Sequence, residues 1–392
     1  MKNKKYLVIG DAGSMHIYNF VKTVLLPREY EVHLLTLSVE PVRELYRNYY
    51  LENGVILHSV AEKGYKDLHK KDKFHRVLHL LRKLRLMNEV PYVDICHIQS
   101  VYKTSLEMVR LFRKKYGKLI LSYWGGDVED RSEYVVNLRR KCFGFADAIT
   151  VTVERTREQF EEIYGKEFSH KLYVCRFATN GLDCIKEIAE KNTLENCRQA
   201  YGIPNGKICI TCGYSAYEEQ HQDKCLEMIN GLDGGIKQKL FVIVPMQYGR
   251  YNQPYIDRVE ETAKKCDFEV KILTEFVPFE MSAKLAIATD IYLHVRDTDA
   301  FSNALKEHVF AGSTVIKGDW LIYRELERMK ADICSIPDLD ALPDMLLKTV
   351  ENYSPADGIK LFEPIYDLYS TENIVKQWGK VIDGLNAVND CE

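Results

Sequence analysis

Short continuous apolar runs, each closed by a polar turn and many followed by a helical pattern, leave this chain few folds to adopt. In the first half they are Tyr6–Gly10, Val32–Leu37, Val55–Val60, Val93–Ile98, Lys118–Tyr123, Ala148–Thr152 and Leu172–Cys175. A second series follows at Lys207–Cys212, Leu240–Val244, Val270–Leu273, Asp290–Val295, Ser313–Ile316 and Asp332–Ser335. Strands without apolar–polar alternation are buried on both faces, as in parallel sheets covered by helices. Two consecutive sets of about six such strands predict an α/β chain of two doubly wound, Rossmann-like domains. The expected divisions are 1–180, 181–360 and a helical tail over 361–392 that carries Trp378. Arg176-Phe-Ala-Thr-Asn-Gly-Leu-Asp183 reads as the linker, and a tail helix crossing back onto the first domain is one option for 361–392.

The length of 392 residues agrees with two domains. A net charge of −3 gives no global reason to expect nucleic acid. The 11 cysteines are scattered and odd in number, and reduced thiols are expected. Cys209-Ile-Thr-Cys212 lies inside an apolar run, where residues i and i+3 face opposite sides, so a shared metal or redox disulfide is not expected there. The first residues run directly into a strand with no signal-like apolar region, and no apolar stretch approaches the ~18 residues that span a bilayer. A cytoplasmic protein is the expectation.

The most informative run is Asp290-Ile-Tyr-Leu-His-Val-Arg-Asp-Thr-Asp299-Ala-Phe-Ser-Asn-Ala-Leu-Lys-Glu307-His-Val-Phe-Ala-Gly312. It reads as strand, polar loop, helix and a closing glycine. Asp299 falls in the loop and Glu307 inside the helix, with Ser302 and Asn303 near its start. Backbone N–H groups and the helix dipole at such a start suit a pyrophosphate. A carboxylate further along can accept two hydrogen bonds from ribose hydroxyls. A helix-capping acid with a solvated helix Glu would give the same letters.

This run resembles the acidic-x7-Glu motif of GT-B glycosyltransferases, family 4 in particular. The resemblance implies a GT-B fold, two Rossmann-like domains facing a cleft, with Glu307 on the donor ribose and Asp299 on the transferred sugar. The family usually has Glu where Asp299 stands. Asp297-Thr-Asp299 could instead be the DxD metal site of GT-A enzymes, but that motif normally follows a single half-domain. A second, local series is Gly213-Tyr-Ser215-Ala-Tyr-Glu-Glu-Gln-His221, Val242-Ile-Val-Pro245-Met246-Gln-Tyr248-Gly249, Tyr255-Ile256 and Ile272-Leu-Thr-Glu275. It is similar to the TDP-N-acetylfucosamine:lipid II N-acetylfucosaminyltransferase family. Gly213 and Ser215 would form a small turn at a strand's carboxyl end, and His221 and Lys224 would meet phosphate charge. Family 4 keeps an Arg in this loop, and 213–224 has none; Arg250 and Arg296 are the candidate substitutes. Leu273–Phe276, with Thr274 and Glu275, lies where such enzymes contact the base.

In the first domain, Gly10-Asp-Ala-Gly13-Ser14-Met-His16 is a glycine turn after the first strand but not a GxGxxG fingerprint, which weakens an oxidoreductase reading. Its Gly-Ser-x-His pattern resembles the GT-B loop that reaches donor phosphate and acceptor, through Gly13 and His16. Trp124-Gly-Gly-Asp127 is similar to the aromatic-Gly-x-Asp turn of family 4, where Asp127 would orient an acceptor hydroxyl or act as base. The alternative for Asp127 is a turn cap. His97 reads as a core histidine with a cleft-lining role as the alternative.

Between 63 and 87 stand nine Lys or Arg (63, 66, 70, 71, 73, 76, 82, 83 and 85) and two Asp, with Phe74, Val77, Leu78, Leu81 and Leu84 at helical spacing. A basic amphipathic helix suits an anionic membrane surface, or it is a core helix with a solvated basic face. Together these readings predict transfer of a sugar from a nucleoside diphosphate sugar to a lipid-linked or glycan acceptor in surface-polysaccharide synthesis. The protein would be peripheral on the inner membrane face. The nucleotide sugar is a co-substrate, and neither cofactor nor obligatory metal is expected. The acidic-x7-Glu motif leans towards retention of configuration. A GT-B nucleotide-sugar 2-epimerase and a non-catalytic nucleotide-sugar-binding partner are the alternatives.

Overall fold

The computed structural model describes residues 4–65, 67, 72–124, 127, 131–177, 180–248, 252–275 and 277–387. Two compact units emerge. One is Met1–Ala178 with Thr371–Glu392, the other Thr179–Ser370.

The first unit holds a seven-stranded parallel sheet: β1 (Lys5–Ile9), β2 (Glu31–Thr36), β3 (Ile56–Ser59), β4 (Val93–Ile98), β5 (Tyr116–Tyr123), β6 (Ala148–Val151) and β7 (Leu172–Val174). The spatial order is β3-β2-β1-β4-β5-β6-β7. Both faces are apolar for a direct reason. Leu7 and Ile9 enter one buried cluster with Leu119 and Phe160, while Tyr6 and Val8 enter the other with Phe20 and Trp378. That second cluster is completed by the helix Thr371–Ala387, whose Ile374, Trp378, Val381 and Ile382 are all buried in it. The preceding helix, Glu363–Tyr369, belongs to the second unit. Tyr366 stacks on Phe310, and its hydroxyl donates to Asp183 at 2.9 Å.

The second unit repeats the plan with β8 (Ile208–Cys212), β9 (Leu240–Pro245), β10 (Glu269–Leu273), β11 (Ile291–His294), β12 (Thr314–Gly318) and β13 (Ile333–Ile336). Their order is β10-β9-β8-β11-β12-β13, again wholly parallel. Every apolar run read as a strand is one. The stretch read as a linker is not all linker, because Asn180–Lys191 is a helix. Its Leu182, Ile185 and Ile188 are buried at helical spacing, a pattern outweighing the turn character of Asn180-Gly181. Among the described residues, no helix is long and apolar enough to cross a membrane.

In such sheets the strand order reverses at one point, and the loops beyond the carboxyl ends of the two strands there diverge to leave a crevice. In the second unit those strands are β8 and β11; in the first they are β1 and β4.

Candidate functional site

The loops after β8 and β11 are tied to one another by charge. Arg296, just past β11, directs one guanidinium nitrogen to the Tyr214 hydroxyl and another to Glu219. It also lies 3.5 Å from Asp299. His221 Nε2 meets Asp297 Oδ1 at 2.6 Å, and the Asp297 N–H donates to the Glu219 carbonyl at 3.1 Å. The β8 loop is anchored from the other side. Gln222 Nε2 donates to the Ser215 carbonyl at 2.9 Å, and the Ala216 N–H donates to the Tyr248 carbonyl at 2.7 Å. Gly213 makes the turn with a φ of 66°, and a Cβ there would lie 2.8 Å from Gln220 Oε1. Both conformation and space therefore require glycine. Ser215 is fully buried, and its hydroxyl has no hydrogen-bond partner among the described residues.

Asp299 is almost wholly enclosed. It accepts the Ser302 N–H at 2.8 Å and the Tyr323 hydroxyl at 2.8 Å, and lies 3.2 Å from His294 Nε2. Burial alone would raise its carboxyl, but the His294 contact, the Ser302 amide and the Tyr323 hydroxyl outweigh it and hold the group down at about 2. Asp299 thus fixes the loop in front of the helix Asn303–Phe310 by holding the N–H of its N-cap residue, Ser302. Phe301 in that loop holds a φ of 65°, rare for an aromatic residue, and is buried against Tyr323 and Tyr369. With the Ser302 amide taken by Asp299, the first-turn amides of 303–305 are the donors the helix cannot satisfy itself.

One turn along, Glu307 stands in a different environment. No hydrogen bond to its carboxylate is formed among the described residues. Burial pushes the carboxyl up to about 7, against which the neighbouring Lys306 charge works only in part. Its nearest neighbour explains the placement. A Cβ on Gly181, in the first turn of the 180–191 helix, would lie 2.0 Å from Glu307 Oε1. The missing side chain is what leaves room for the carboxylate.

The remaining residues named from sequence are spread more widely. Lys224 is exposed on the helix Gln222–Asn230. Thr274 is half-buried and Glu275 exposed beyond the end of β10, a neighbour of β9 rather than of the crevice strands. Arg250 lies outside the described residues. Tyr214, Glu219, His294 and Gly181 are residues of this candidate site that sequence reasoning missed. Tyr214 and His294 sit at or just beyond the ends of β8 and β11, and that placement was a usable signal, whereas Glu219 lies further along the β8 loop. Gly181 had none, because its partner is 126 residues away.

In the first unit, Gly13 turns after β1, its N–H donating to Asp11 Oδ1 at 3.0 Å. His16 stacks on Phe177 at 4.5 Å and meets the edge of Trp124 at 6.1 Å, so the ends of β1, β5 and β7 share an aromatic cluster. Asp127 is fully buried. It accepts from Trp124 N–H at 2.8 Å, Ser100 hydroxyl at 3.0 Å and Val101 N–H at 3.3 Å, with Arg139 at 3.6 Å. A carboxylate so occupied closes the Trp124–Asp127 turn. His97 is a core residue: it bonds Tyr6 and Ser122 at 2.9 and 2.7 Å, and burial lowers its pKa to about 3, keeping it neutral.

No family model matches the chain. Among curated proteins, the tryptophan synthase alpha chain of Methanococcus voltae is 22% identical over 207 residues, 53% of this chain and 70% of that one. That likeness is too distant and too partial to fix a family. Among solved structures, sucrose-phosphate synthase from Thermosynechococcus elongatus superposes with a TM-score of 0.71 at 14% identity, covering 98% of this chain and 100% of that one. A glycosyltransferase from Rickettsia africae gives 0.67 at 12%, covering 98% and 99%. Anabaena Alr3699/HepE, solved with UDP and glucose, gives 0.65 at 11%, covering 97% and 100%. These full-length likenesses show that the chain has the GT-B fold of two doubly wound Rossmann-like domains.

Proposed function

We propose that this protein is a glycosyltransferase whose second unit binds a nucleoside diphosphate sugar at the β8–β11 crevice. The observation that carries the reading is Glu307, a half-buried carboxylate without a hydrogen-bond partner among the described residues, held against Gly181 one turn beyond a helix start. A desolvated carboxylate left unpaired is costly unless a ligand supplies donors. The two hydroxyls of a ribose do so. The diphosphate then falls by the amides of 303–305, and its leaving-group charge meets the helix dipole and Arg296.

Asp299 acts in this reading through the loop it holds, with the transferred sugar placed beside that loop. Ser215, whose buried hydroxyl has no hydrogen-bond partner among the described residues, is a further donor or acceptor for the nucleotide. HepE was solved with UDP and glucose, which makes UDP the first nucleotide to try. The local likeness of 207–275 to N-acetylfucosaminyltransferases keeps dTDP sugars in the comparison. A lipid-linked or glycan acceptor of surface-polysaccharide synthesis, met by His16 and the β1 turn, and retention of configuration complete the proposal.

The test is a thermal-shift screen against UDP, GDP and dTDP sugars, since a ligand that binds only the folded state raises the midpoint. One nucleotide series should raise it, and Glu307→Ala should abolish that shift and acceptor glycosylation together. Undiminished glycosylation by Glu307→Ala would overturn the assignment. Donor turnover to free sugar with no acceptor present would instead indicate a 2-epimerase.

A further inference from the structure

The helix Lys73–Glu89 seats its C-terminal end on the core through Leu84, Leu86 and Met87, but its N-terminal part turns its apolar side to solvent. Its polar residues His75 and Arg82 turn inward. Both Arg82 terminal nitrogens bind Asp67 at 2.9 and 3.2 Å, with the guanidinium 3.9 Å from the Tyr65 ring centre. His75 bonds the capping Asp72 at 2.5 Å and lies 3.6 Å from Asp67. Four apolar residues turn outward: Phe74 is 71% exposed, Val77 58%, Leu80 46% and Leu81 56%. At intervals of three, three and one along a helix, these four form one stripe. Lys73, Arg76 and Arg85 are exposed on the same helix beside it. The acids nearby are engaged: Asp67 with Arg82, Asp72 with the helix start, and Glu89 with Lys63 at 3.0 Å and Arg85 at 3.6 Å.

We propose that this stripe docks the protein on an anionic lipid bilayer, with Phe74, Val77, Leu80 and Leu81 entering the acyl boundary and Lys73, Arg76 and Arg85 meeting the headgroups. An apolar band flanked by cations is the pattern that binds in the plane of such a surface. A second copy of the chain fits less well. A two-fold pairing through the stripe would set Lys73, Arg76 and Arg85 of one copy against the same cations of the other. A stripe one helix wide is also narrow against the ~800 Å² per partner of a stable protein interface. The inference goes beyond the transferase reading and does not depend on it.

Co-sedimentation of the full chain with phosphatidylglycerol-rich vesicles and with pure phosphatidylcholine vesicles tests it. Binding is expected to the first, weakening as salt rises, with little to the second. The pair Val77→Ser and Leu81→Ser should lower the partition coefficient about tenfold or more. Lys73→Gln and Arg76→Gln should each lower it about fivefold. The melting midpoint of the unliganded protein should stay within a few degrees of the parent's for every variant, showing an intact fold without reference to the donor site. Equal binding to the two vesicle types, or none to either, would overturn the proposal. So would a dimer in sedimentation velocity that Val77→Ser and Leu81→Ser dissociate while vesicle binding is absent, which would assign the stripe to a second copy.

Discussion

Glu307 and Asp299 are eight positions apart and oppositely tuned, and each difference leads to a measurement. Glu307 titrates at about 7, raised from an ordinary 4.5. Between those values the folded protein holds a proton that the unfolded chain has released. Stability from this group is therefore full below about pH 4.5 and is lost as pH rises through about 7. Glu307→Gln removes that loss. It should melt higher than the parent above pH 7, by at most about 2–3 kcal/mol given partial solvent access, and gain little at pH 4. Donor binding runs the other way, because the carboxylate form accepts both ribose hydroxyls. Calorimetric titration with a UDP sugar, whose diphosphate does not itself titrate near neutrality, should show affinity falling towards tenfold per pH unit below about 7. A flat profile would remove Glu307 from the ribose. Asp299 is depressed instead, so its contribution is present above its ordinary 3.8 and lost only as pH falls through about 2. Asp299→Asn leaves His294, Arg296 and the Ser302 amide without their anion. It should cost about 3 kcal/mol in urea unfolding at neutral pH. A near-zero cost would mean that Asp299 serves a ligand alone.

At the scale of elements, the contact between Gly181 and Glu307 separates placement from stability. In Gly181→Ala the new Cβ meets the far end of a flexible side chain, which can swing away at little cost, and alanine suits a helix at least as well as glycine. The midpoint of the apo protein should hardly move. Affinity for the nucleotide sugar should fall about tenfold or more, the scale of one charge-assisted hydrogen bond. A loss of stability with unchanged affinity would refute the placement. The same contact marks the limit of sequence reading. The thirteen strands among the described residues were legible because a strand buried on both faces is built mainly of apolar residues, as Leu240–Pro245 is throughout. The helix start at Ser302–Asn303 was legible from local chemistry. The closeness of residue 181 to residue 307, and the Tyr214–Arg296–Glu219 network, are tertiary and leave no local trace. The 73–89 helix shows the same limit from another side. The stripe read from its spacing is divided: Phe74, Val77 and Leu81 are exposed, whereas Leu78 and Leu84 are half-buried and Leu84 packs on the core, a split that spacing alone does not define.

For the whole molecule, the chain's two ends are joined in one unit. The segment 361–392 read as a single tail is divided: Glu363–Tyr369 stays with the second sheet, and Thr371–Ala387 completes a face of the first. Trp378 fastens that return. Its indole N–H donates to the Arg176 carbonyl at 3.1 Å, and its ring packs on Phe20 at 4.7 Å and on His97 at 5.2 Å. Trp378→Ala would open a cavity beneath β1 and β4 and remove the indole donor to the Arg176 carbonyl. It should destabilise the first unit by about 3–5 kcal/mol. The candidate donor residues around β8 and β11 all lie in the second unit, with which this helix does not cluster. Scanning calorimetry of Trp378→Ala should therefore show the first unit's transition moved to lower temperature, while the nucleotide sugar still raises that of the second unit. A variant in which both transitions fall equally and the nucleotide effect disappears would mean that the two sheets melt as one cooperative body, with the returning helix supporting both.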